Sequence, residues 1–230
     1  MGIIKFIKHS LLSLLVIVVV HPMVYSSNQN DGEKKVDLYG ILFYQPNGLD
    51  GSPYLLKEWT SGSVVLFNGQ EAVNVRMKFN IISNDLIYYN ENFRNLFIAD
   101  RNTVTSFILN KGRNDSLYFI KYDDEELGYR LKKGDFVQLH YNGKNKLLTK
   151  YSADITQAND LTSRDKVHPR NYYFIQTGEN PTEIKLNLKS VIKVFPEHKK
   201  ELKKIAASIK FRNKSITDLI RLIEQFEKME

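Results

Sequence analysis

Short apolar segments separated by tight turns run through residues 38–186 of this chain. Asn-Gly pairs at Asn68-Gly69 and Asn142-Gly143 each join two such segments, and both residue types tolerate the positive φ of a type I′ hairpin turn. After the first pair, positions 73, 75, 77 and 79 are apolar, whereas 74, 76 and 78 are polar or charged. A period of two is that of a strand with one buried face. Turns at this spacing leave no length for crossover helices, so the sequence predicts an antiparallel meander.

The same pattern extends the predicted β domain over residues 37–187. A further turn at residues 83–85 separates the strand that ends near Ile82 from Leu86–Tyr89. Other strands are predicted at Val64–Phe67, Leu96–Ala99, Val104–Leu109, Leu117–Tyr122, Tyr129–Leu131, Phe136–Tyr141, Lys146–Tyr151, Tyr172–Thr177 and Glu183–Leu186. The predicted fold is mainly β, an antiparallel meander that forms a curved sheet, a sandwich or a partial barrel.

The hydrophobic period changes after residue 187, where helical spacing replaces alternation. The segment Leu188–Phe195 fits two helical turns ended by Pro196. An apolar stripe at spacing i, i+3, i+4 and i+7 follows, formed by Leu202, Ile205, Ala206 and Ile209. Ser215 with Asp218 resembles a capping box at the start of a last helix. Residues 188–230 are predicted to be a short helical appendage packed on the sheet, which makes the fold α+β.

The first 26 residues have the order of a secretory signal peptide. Lys5 and Lys8 give a positive start, residues 11–20 are almost wholly apolar, and Pro22 precedes the small residue Ser26. The apolar run is shorter than the roughly 20 residues of a membrane-spanning helix. We expect cleavage after residue 26 or 27, with a retained N-terminal anchor as the alternative. Residues 27–36 are polar and are predicted to be a flexible leader.

Cysteine is absent from the sequence. An exported chain without cysteine has no disulfides, so its fold must depend on packing alone. It also lacks the residue that bacterial lipoproteins acylate, which excludes a lipoprotein, thiol catalysis and zinc-thiolate sites. No later segment approaches membrane-spanning length, so no transmembrane span is expected after signal removal. The expected location is the periplasm, the outer membrane surface or the medium.

The chain is basic, with a formal net charge of +7, of which Lys5 and Lys8 contribute two. Such a charge favours anionic partners such as nucleic acid, acidic glycans or a phosphate-rich membrane surface. For an exported chain we expect an anionic envelope surface or another envelope protein as the partner, and nucleic acid is not expected. The predicted contact residues lie on the polar face of the helix that carries the apolar stripe, and they are Lys199, Lys200, Lys203 and Lys204. An ordinary solvated helix face is the alternative interpretation of these lysines.

No local catalytic, cofactor-binding or metal-binding motif is found in the sequence, so none of these site classes is predicted. His140, His168 and His198 are assigned to a strand, a loop and a lysine-rich helix, and none has a ligand partner at i+2 or i+4. The acidic run at residues 123–126 lacks calcium-loop spacing and is predicted to be a hairpin tip. A catalytic triad assembled from distant residues stays open, because triads depend on geometry rather than spacing.

Adjacent aromatic residues place one ring on each face of a strand. The groups are Tyr88-Tyr89, Tyr118-Phe119 and Tyr172-Tyr173-Phe174. One ring can fill the core while its neighbour lies exposed, and exposed rings beside Lys or Arg can stack on sugars or bases. Ordinary sheet aromatics covered by the C-terminal helices or by cross-strand neighbours are the alternative interpretation.

One stretch of the chain resembles a known family. It comprises Gly51-Ser52-Pro53-Tyr54-Leu55, Glu58-Trp59, Gly62, Val64-Val65-Leu66, Asn68-Gly69, Val75, Lys78-Phe79-Asn80 and Asp85-Leu86. This order resembles that of a family of exported proteins of Gram-negative, Bacteroidota-type bacteria with no known activity, in which Tyr usually stands where Phe79 does here. The resemblance implies a bacterial envelope or secreted protein and supplies no catalytic residue. Trp59 is expected to anchor the first hairpin in the core.

Two functions follow from these observations. The first is an exported, non-enzymatic binding or structural module of the bacterial cell envelope, with a basic, Tyr-rich sheet face as its interaction surface. The alternative is an envelope hydrolase whose site exists only in tertiary geometry. A deep cleft that brings His140 or His168 to carboxylates would favour the hydrolase, and a shallow sheet face would favour the module.

Overall fold

The computed structural model describes residues 36–45, 48–112, 115–158 and 163–229. The predicted signal peptide at 1–26, and all of the predicted leader at 27–36 except its last residue, lie outside the described residues. Contacts group residues 35–230 into one unit. Within the described residues this unit contains twelve strands and three α-helices.

The strands follow one another closely along the chain. They are β1 (Gly40–Leu42), β2 (Leu49–Asp50), β3 (Thr60–Leu66), β4 (Glu71–Asn80), β5 (Asp85–Asn90), β6 (Asn95–Ala99), β7 (Val104–Asn110), β8 (Ser116–Lys121), β9 (Phe136–Asn142), β10 (Asn145–Thr156), β11 (Asp165–Thr177) and β12 (Asn180–Ile184). The helices are α1 (Leu188–Val194), α2 (Lys199–Ser208) and α3 (Ile216–Glu227). Short 3₁₀ turns occur at Gly128–Arg130 and Pro196–His198.

The strands form one open, mostly antiparallel sheet. Their order across the sheet is β1-β6-β5-β4-β3-β7-β8-β9-β10-β11-β12. Strand β2 is outside this path and pairs in parallel with the start of β11. The predicted fold class, mainly β with a short helical segment at the C-terminus, is confirmed.

The sheet is strongly curved, as the connection between β1 and β2 requires. Strand β11 stands nine places from β1 in the strand order, a separation of about 43 Å in a flat sheet at 4.8 Å per strand. Only seven residues lead from Leu42, the end of β1, to Leu49, which pairs with β11, and that length of chain reaches about 24 Å. The two ends of the sheet must therefore curl toward each other.

The main hydrophobic core fills the inner face of this curve. Its aromatic centre is formed by Phe79, Phe107 and Phe119, with ring centroids 4.7 to 5.7 Å apart. Tyr151 and Ala153, from the second half of β10, pack against the same cluster. These rings alternate with outward-facing residues along their strands, as the period of two predicts.

A second cluster continues the inner face of β10 toward the helices. Leu147 of β10 and Ile175 of β11 pack with the buried stripes of α2 and α3. Leu202, Ile205 and Ala206 of α2 are buried there, as their helical spacing predicts. Alternate residues of a strand share one face, so Leu147 and Tyr151 lie on the same side of β10. The helices therefore cover one end of the face whose other end belongs to the main core.

The loop between β8 and β9 covers the opposite face. Tyr122 and Leu131 of this loop are buried with Val137, Leu148 and Phe174 in a third cluster. The predicted strand at Tyr129–Leu131 is wrong, because residues 128–130 form a 3₁₀ turn that carries Leu131 into this cluster.

Both Asn-Gly pairs mark real hairpins, but their turns are not type I′. At the first, the Gly69 N–H donates to the Leu66 carbonyl at 2.9 Å and only the glycine has positive φ, at 80°. At the second, neither residue has positive φ. A Cβ on Gly143 would lie 2.1 Å from Glu227 Oε2. Gly143 is therefore favoured by the crowding of the Glu227 and Tyr141 side chains around it and not by a left-handed turn.

The Glu227 carboxylate of α3 holds the tip of the β9–β10 hairpin. Its Oε2 accepts from the Tyr141 hydroxyl at 2.9 Å and from the Lys144 N–H at 3.1 Å. Its Oε1 accepts from the Asn145 N–H at 2.6 Å and from Asn145 Nδ2 at 3.0 Å. Burial alone would raise the pKa of Glu227, but these hydrogen bonds bring its pKa below the ordinary value. One carboxylate thus accepts the hydrogen bonds of the hairpin turn and holds α3 against that hairpin.

We predict that Glu227→Gln lowers the free energy of unfolding by about 1.5–3 kcal/mol, the range for hydrogen bonds to a charged group. The matched control is Glu224→Gln, which removes only a surface pair with Lys228 and should cost about 0.5 kcal/mol or less. Because the folded pKa is lowered, the contribution is present above the unfolded pKa near 4.5 and is lost as pH falls through the folded pKa. Urea denaturation at pH 7 and pH 3 measures both effects, and equal losses in the two variants would contradict the prediction.

Candidate functional site

The outer face of β4 and β5 carries aromatic and cationic side chains. Met77 and Tyr88 are buried in the main core, so their neighbours Arg76, Lys78 and Tyr89 point away from it. The segment before β3 lies along the end of β4, because the Leu55 N–H donates to the Phe79 carbonyl at 3.0 Å and the Ile81 N–H to the Pro53 carbonyl at 2.8 Å.

This segment brings two more rings to the same face. The resulting aromatic–cationic surface consists of Tyr54, Trp59, Arg76, Lys78 and Tyr89. Arg76 Cζ lies 5.4 Å from the Trp59 ring centroid and 5.6 Å from that of Tyr89. Lys78 Nζ lies 4.6 Å from the Tyr54 centroid and 5.4 Å from that of Trp59. Each cation therefore contacts two rings within the distance of a cation–π interaction.

The two cations of this surface have different surroundings. Lys78 Nζ donates to the Lys57 carbonyl at 2.5 Å. Burial lowers the pKa of Lys78, and the nearby Glu58 carboxylate opposes that change. Arg76 is exposed, and its guanidinium forms no hydrogen bond or ion pair with the residues that the structure describes. Lys78 thus stabilises the position of the segment before β3. Arg76 presents a planar set of hydrogen-bond donors suited to a carboxylate or a phosphate.

Trp59 belongs to this surface and not to the core. It is half-buried, and it is not a member of the three buried clusters. The expectation that it anchors the first hairpin in the core is therefore wrong. The alternation at 73–79 assigned Arg76 and Lys78 to the outer face correctly, but it was wrong for Val73, which is exposed where the β3–β4 pairing is irregular. No local pattern indicates that Tyr54 and Trp59 meet Arg76 and Lys78.

The predicted lysine contact lies on α2. Lys199, Lys200, Lys203 and Lys204 are all exposed, and α2 packs on α1 and α3 through its apolar stripe. Among the described residues no ion pair includes any of the four. The structure brings these lysines to one helix but not to the aromatic–cationic surface, which belongs to β4, β5 and the segment before β3.

The three histidines occupy separate elements. His140 lies at an irregularity in the β9–β10 pairing, and its Nε2 is 2.8 Å from Thr149 Oγ1. Burial lowers the pKa of His140 to about 4, so the ring is neutral at pH 7. His168 is exposed on β11 opposite Asp154, so its assignment to a loop is wrong. Asp154 is paired with Arg170 at 2.6 Å.

His198 ends the 3₁₀ turn before α2, and its ring centroid is 5.0 Å from that of Phe226. The acidic run at 123–126 belongs to the loop that covers the third cluster. Gln176 donates to Asp124 at 2.7 Å, and the Tyr122 hydroxyl donates to the Glu125 carbonyl at 2.6 Å. Within the described ranges, no group of three or more His, Asp or Glu side chains could hold a metal ion.

Comparison with protein-family models, curated proteins and solved structures finds no match for this chain. Across the part of the chain that the structure describes, no helix combines the length and apolar character needed to cross a bilayer. Functional inference therefore depends on the geometry of the aromatic–cationic surface and of the basic helices.

For α2, we predict that the variant with Lys199, Lys200, Lys203 and Lys204 all changed to Gln associates more weakly with isolated bacterial envelopes. The expected loss is about 1 kcal/mol per lysine at low salt and decreases as salt rises. Sedimentation across a salt series measures it. The matched control changes four scattered exposed lysines to Gln, namely Lys111, Lys132, Lys133 and Lys166. Equal association of both variants would contradict a specific role of the α2 lysines in envelope association.

For His140, we predict a pH-dependent stability between about pH 4 and 6.5. The folded pKa lies below the ordinary value of 6.5, so the unfolded chain binds more protons and stability falls as pH is lowered through this window. The expected change is on the order of 3 kcal/mol. Denaturant titrations at pH 4.5 and 7 should show a smaller change for His140→Gln, while the exposed control His168→Gln behaves like the unmodified chain. An unchanged slope in His140→Gln would contradict the prediction.

Proposed function

We propose that this chain is an exported, non-enzymatic binding module of the bacterial cell envelope, and that its aromatic–cationic surface binds an acidic glycan. The observation that carries the proposal is the exposed Arg76 guanidinium. It lies near the Trp59 and Tyr89 rings and has no hydrogen-bond or ion-pair partner among the described residues. The two ring contacts hold the guanidinium near both rings, and because the side chain is exposed its N–H groups are accessible to a ligand.

The chemistry of an acidic glycan matches these groups. The C–H faces of a sugar ring pack on aromatic side chains, and its carboxylate or phosphate accepts two parallel hydrogen bonds from a guanidinium. Lys78 contacts the Tyr54 and Trp59 rings and thereby orders both rings at the same surface. Of the formal charge of +7, Lys5 and Lys8 leave with the predicted signal, and the remaining +5 adds long-range attraction for a polyanion.

The proposed location follows from the N-terminal sequence and is compatible with how the fold is stabilised. The order of charge, apolar run and small residue in residues 1–26 supports export. Three buried hydrophobic clusters support a fold that needs no disulfide in an oxidising compartment. The lysines of α2 would then offer a second contact with an anionic envelope surface.

Trp59 gives a direct optical test, because it is the single Trp of the chain. We expect the tryptophan fluorescence of the chain from residue 27 to change on titration with alginate, a polymer of uronic acids. Dextran, a neutral polymer, should leave it unchanged. A response to both polymers, or to neither, would contradict recognition of an acidic glycan at this surface.

The Arg76 prediction uses two variants and a matched control. Arg76→Gln should weaken alginate binding at least about tenfold, the equivalent of losing a charge-assisted pair worth about 1.5 kcal/mol or more. Arg76→Lys should recover little, since an ammonium cannot bind both oxygens in parallel. Arg221→Gln removes the same charge from the exposed face of α3 and should bind as the unmodified chain does. Equal affinities for Arg76→Gln and Arg221→Gln would overturn the proposal.

A further inference from the structure

A basic groove lies between α1, β12 and the 3₁₀ turn at residues 128–130. Its volume is about 1070 Å³, near the upper end for a small-molecule site. Four cationic side chains line it: Arg130, Lys185, Lys189 and Lys193. Among the described residues that line it, Glu183 carries the only carboxylate, and this group is paired with Arg130. Among the described residues, no ion pair includes the three lysines.

The three lysines form a row along one wall of the groove. Lys189 and Lys193 are four residues apart on α1, which places them on one helix face about 6 Å apart along its axis. Lys185 is held just before the helix, because its N–H donates to Ser190 Oγ at 3.2 Å. Asn187 caps the N-terminus of α1, because its Oδ1 accepts a hydrogen bond from the Ser190 N–H at 2.9 Å. The backbone that carries the three ammonium groups is therefore ordered.

The rest of the groove offers an apolar surface and an exposed ring. Leu127, Ile184 and Val194 contribute apolar atoms to the lining. Tyr129 is 69% exposed. Arg130 Nε donates to the Tyr129 hydroxyl at 3.2 Å, and the guanidinium lies 5.4 Å from its ring centroid. The groove thus combines an aromatic face with a row of point charges.

The edge of β12 does not offer a place for an added strand. Thr177 and Asn180 flank the two-residue turn of the β11–β12 hairpin, so residues 180, 182 and 184 direct their backbone groups toward β11. Residues 181 and 183 face the groove, and Pro181 has no N–H to donate. The groove is therefore better suited to a small anionic ligand than to an extended peptide.

We propose that this groove binds a polyhydroxylated ring, a sugar or an inositol, that carries two phosphate groups, either free or as a lipid headgroup. Lysine ammonium groups bind phosphate as point charges, and Lys189 and Lys193, one helical turn apart on α1, can each bind one of two phosphates. Tyr129 supplies the face against which the sugar ring packs. This site is separate from the aromatic–cationic surface, so it does not depend on the proposed function.

Calorimetric titration of the chain from residue 27 with glucose 1,6-bisphosphate tests the free ligand. We expect affinity at least tenfold above that for glucose 6-phosphate or inorganic phosphate, and no heat from glucose. The double variant Lys189→Gln/Lys193→Gln should lose at least tenfold in affinity, and Tyr129→Ala should weaken the sugar phosphates but not inorganic phosphate. The matched control Lys111→Gln/Lys166→Gln, which changes two exposed lysines outside the groove lining, should retain full affinity.

Vesicles test the headgroup as the source of the same chemistry. Binding to phosphatidylcholine vesicles that carry phosphatidylinositol 4-phosphate, lost in Lys189→Gln/Lys193→Gln, would assign the groove to a headgroup. Binding of either probe that survives in this variant would overturn the proposal, as would the absence of binding to both. Binding lost in Arg76→Gln instead would assign the ligand to the aromatic–cationic surface, which also overturns it. Circular dichroism confirms that each variant is folded.

Discussion

The fold depends on one strand, β10, whose inner face belongs to two hydrophobic clusters. Leu147 packs with the helices, and Tyr151 and Ala153 pack with the main core of the sheet. Between them the buried Thr149 bonds to His140, which satisfies a polar group inside the face. The twelve-residue pairing of β10 with β11 keeps this face continuous. The helices and the curved sheet are therefore ordered by the same strand and pack as one unit.

Long-range contacts decide details that local sequence signals leave open. Alternation and Asn-Gly pairs predicted the hairpins, because apolar period and turn composition are local properties. They did not predict the turn at Gly143, whose backbone is set by a carboxylate 84 positions later in the chain. Similarly, the Asp218 N–H donates to Ser215 as a capping box requires, but the Asp218 carboxylate binds Arg212 instead of completing the box.

The candidate site shows the same limit. The period of two correctly assigned Arg76 and Lys78 to the face away from the core, and Tyr89 to the face opposite Tyr88. The segment that contains Trp59 covers that face, and its position depends on pairing with the end of β4. Composition could name the aromatic and basic residues, but only the tertiary fold brings them into contact.

The lysines of α1 and α2 repel one another, and this repulsion is consistent with the binding of anions that we propose for them. Like charges four residues apart on a helix repel each other by about 0.2–0.5 kcal/mol per pair. This spacing occurs in α1 at Lys189/Lys193 and in α2 at Lys199/Lys203 and Lys200/Lys204. Among the described residues that line the groove, the one carboxylate is that of Glu183, already paired with Arg130, so no carboxylate of this lining offsets the repulsion of Lys189 and Lys193. A bound phosphate would relieve it, which makes ligand binding and helix stability mutually reinforcing.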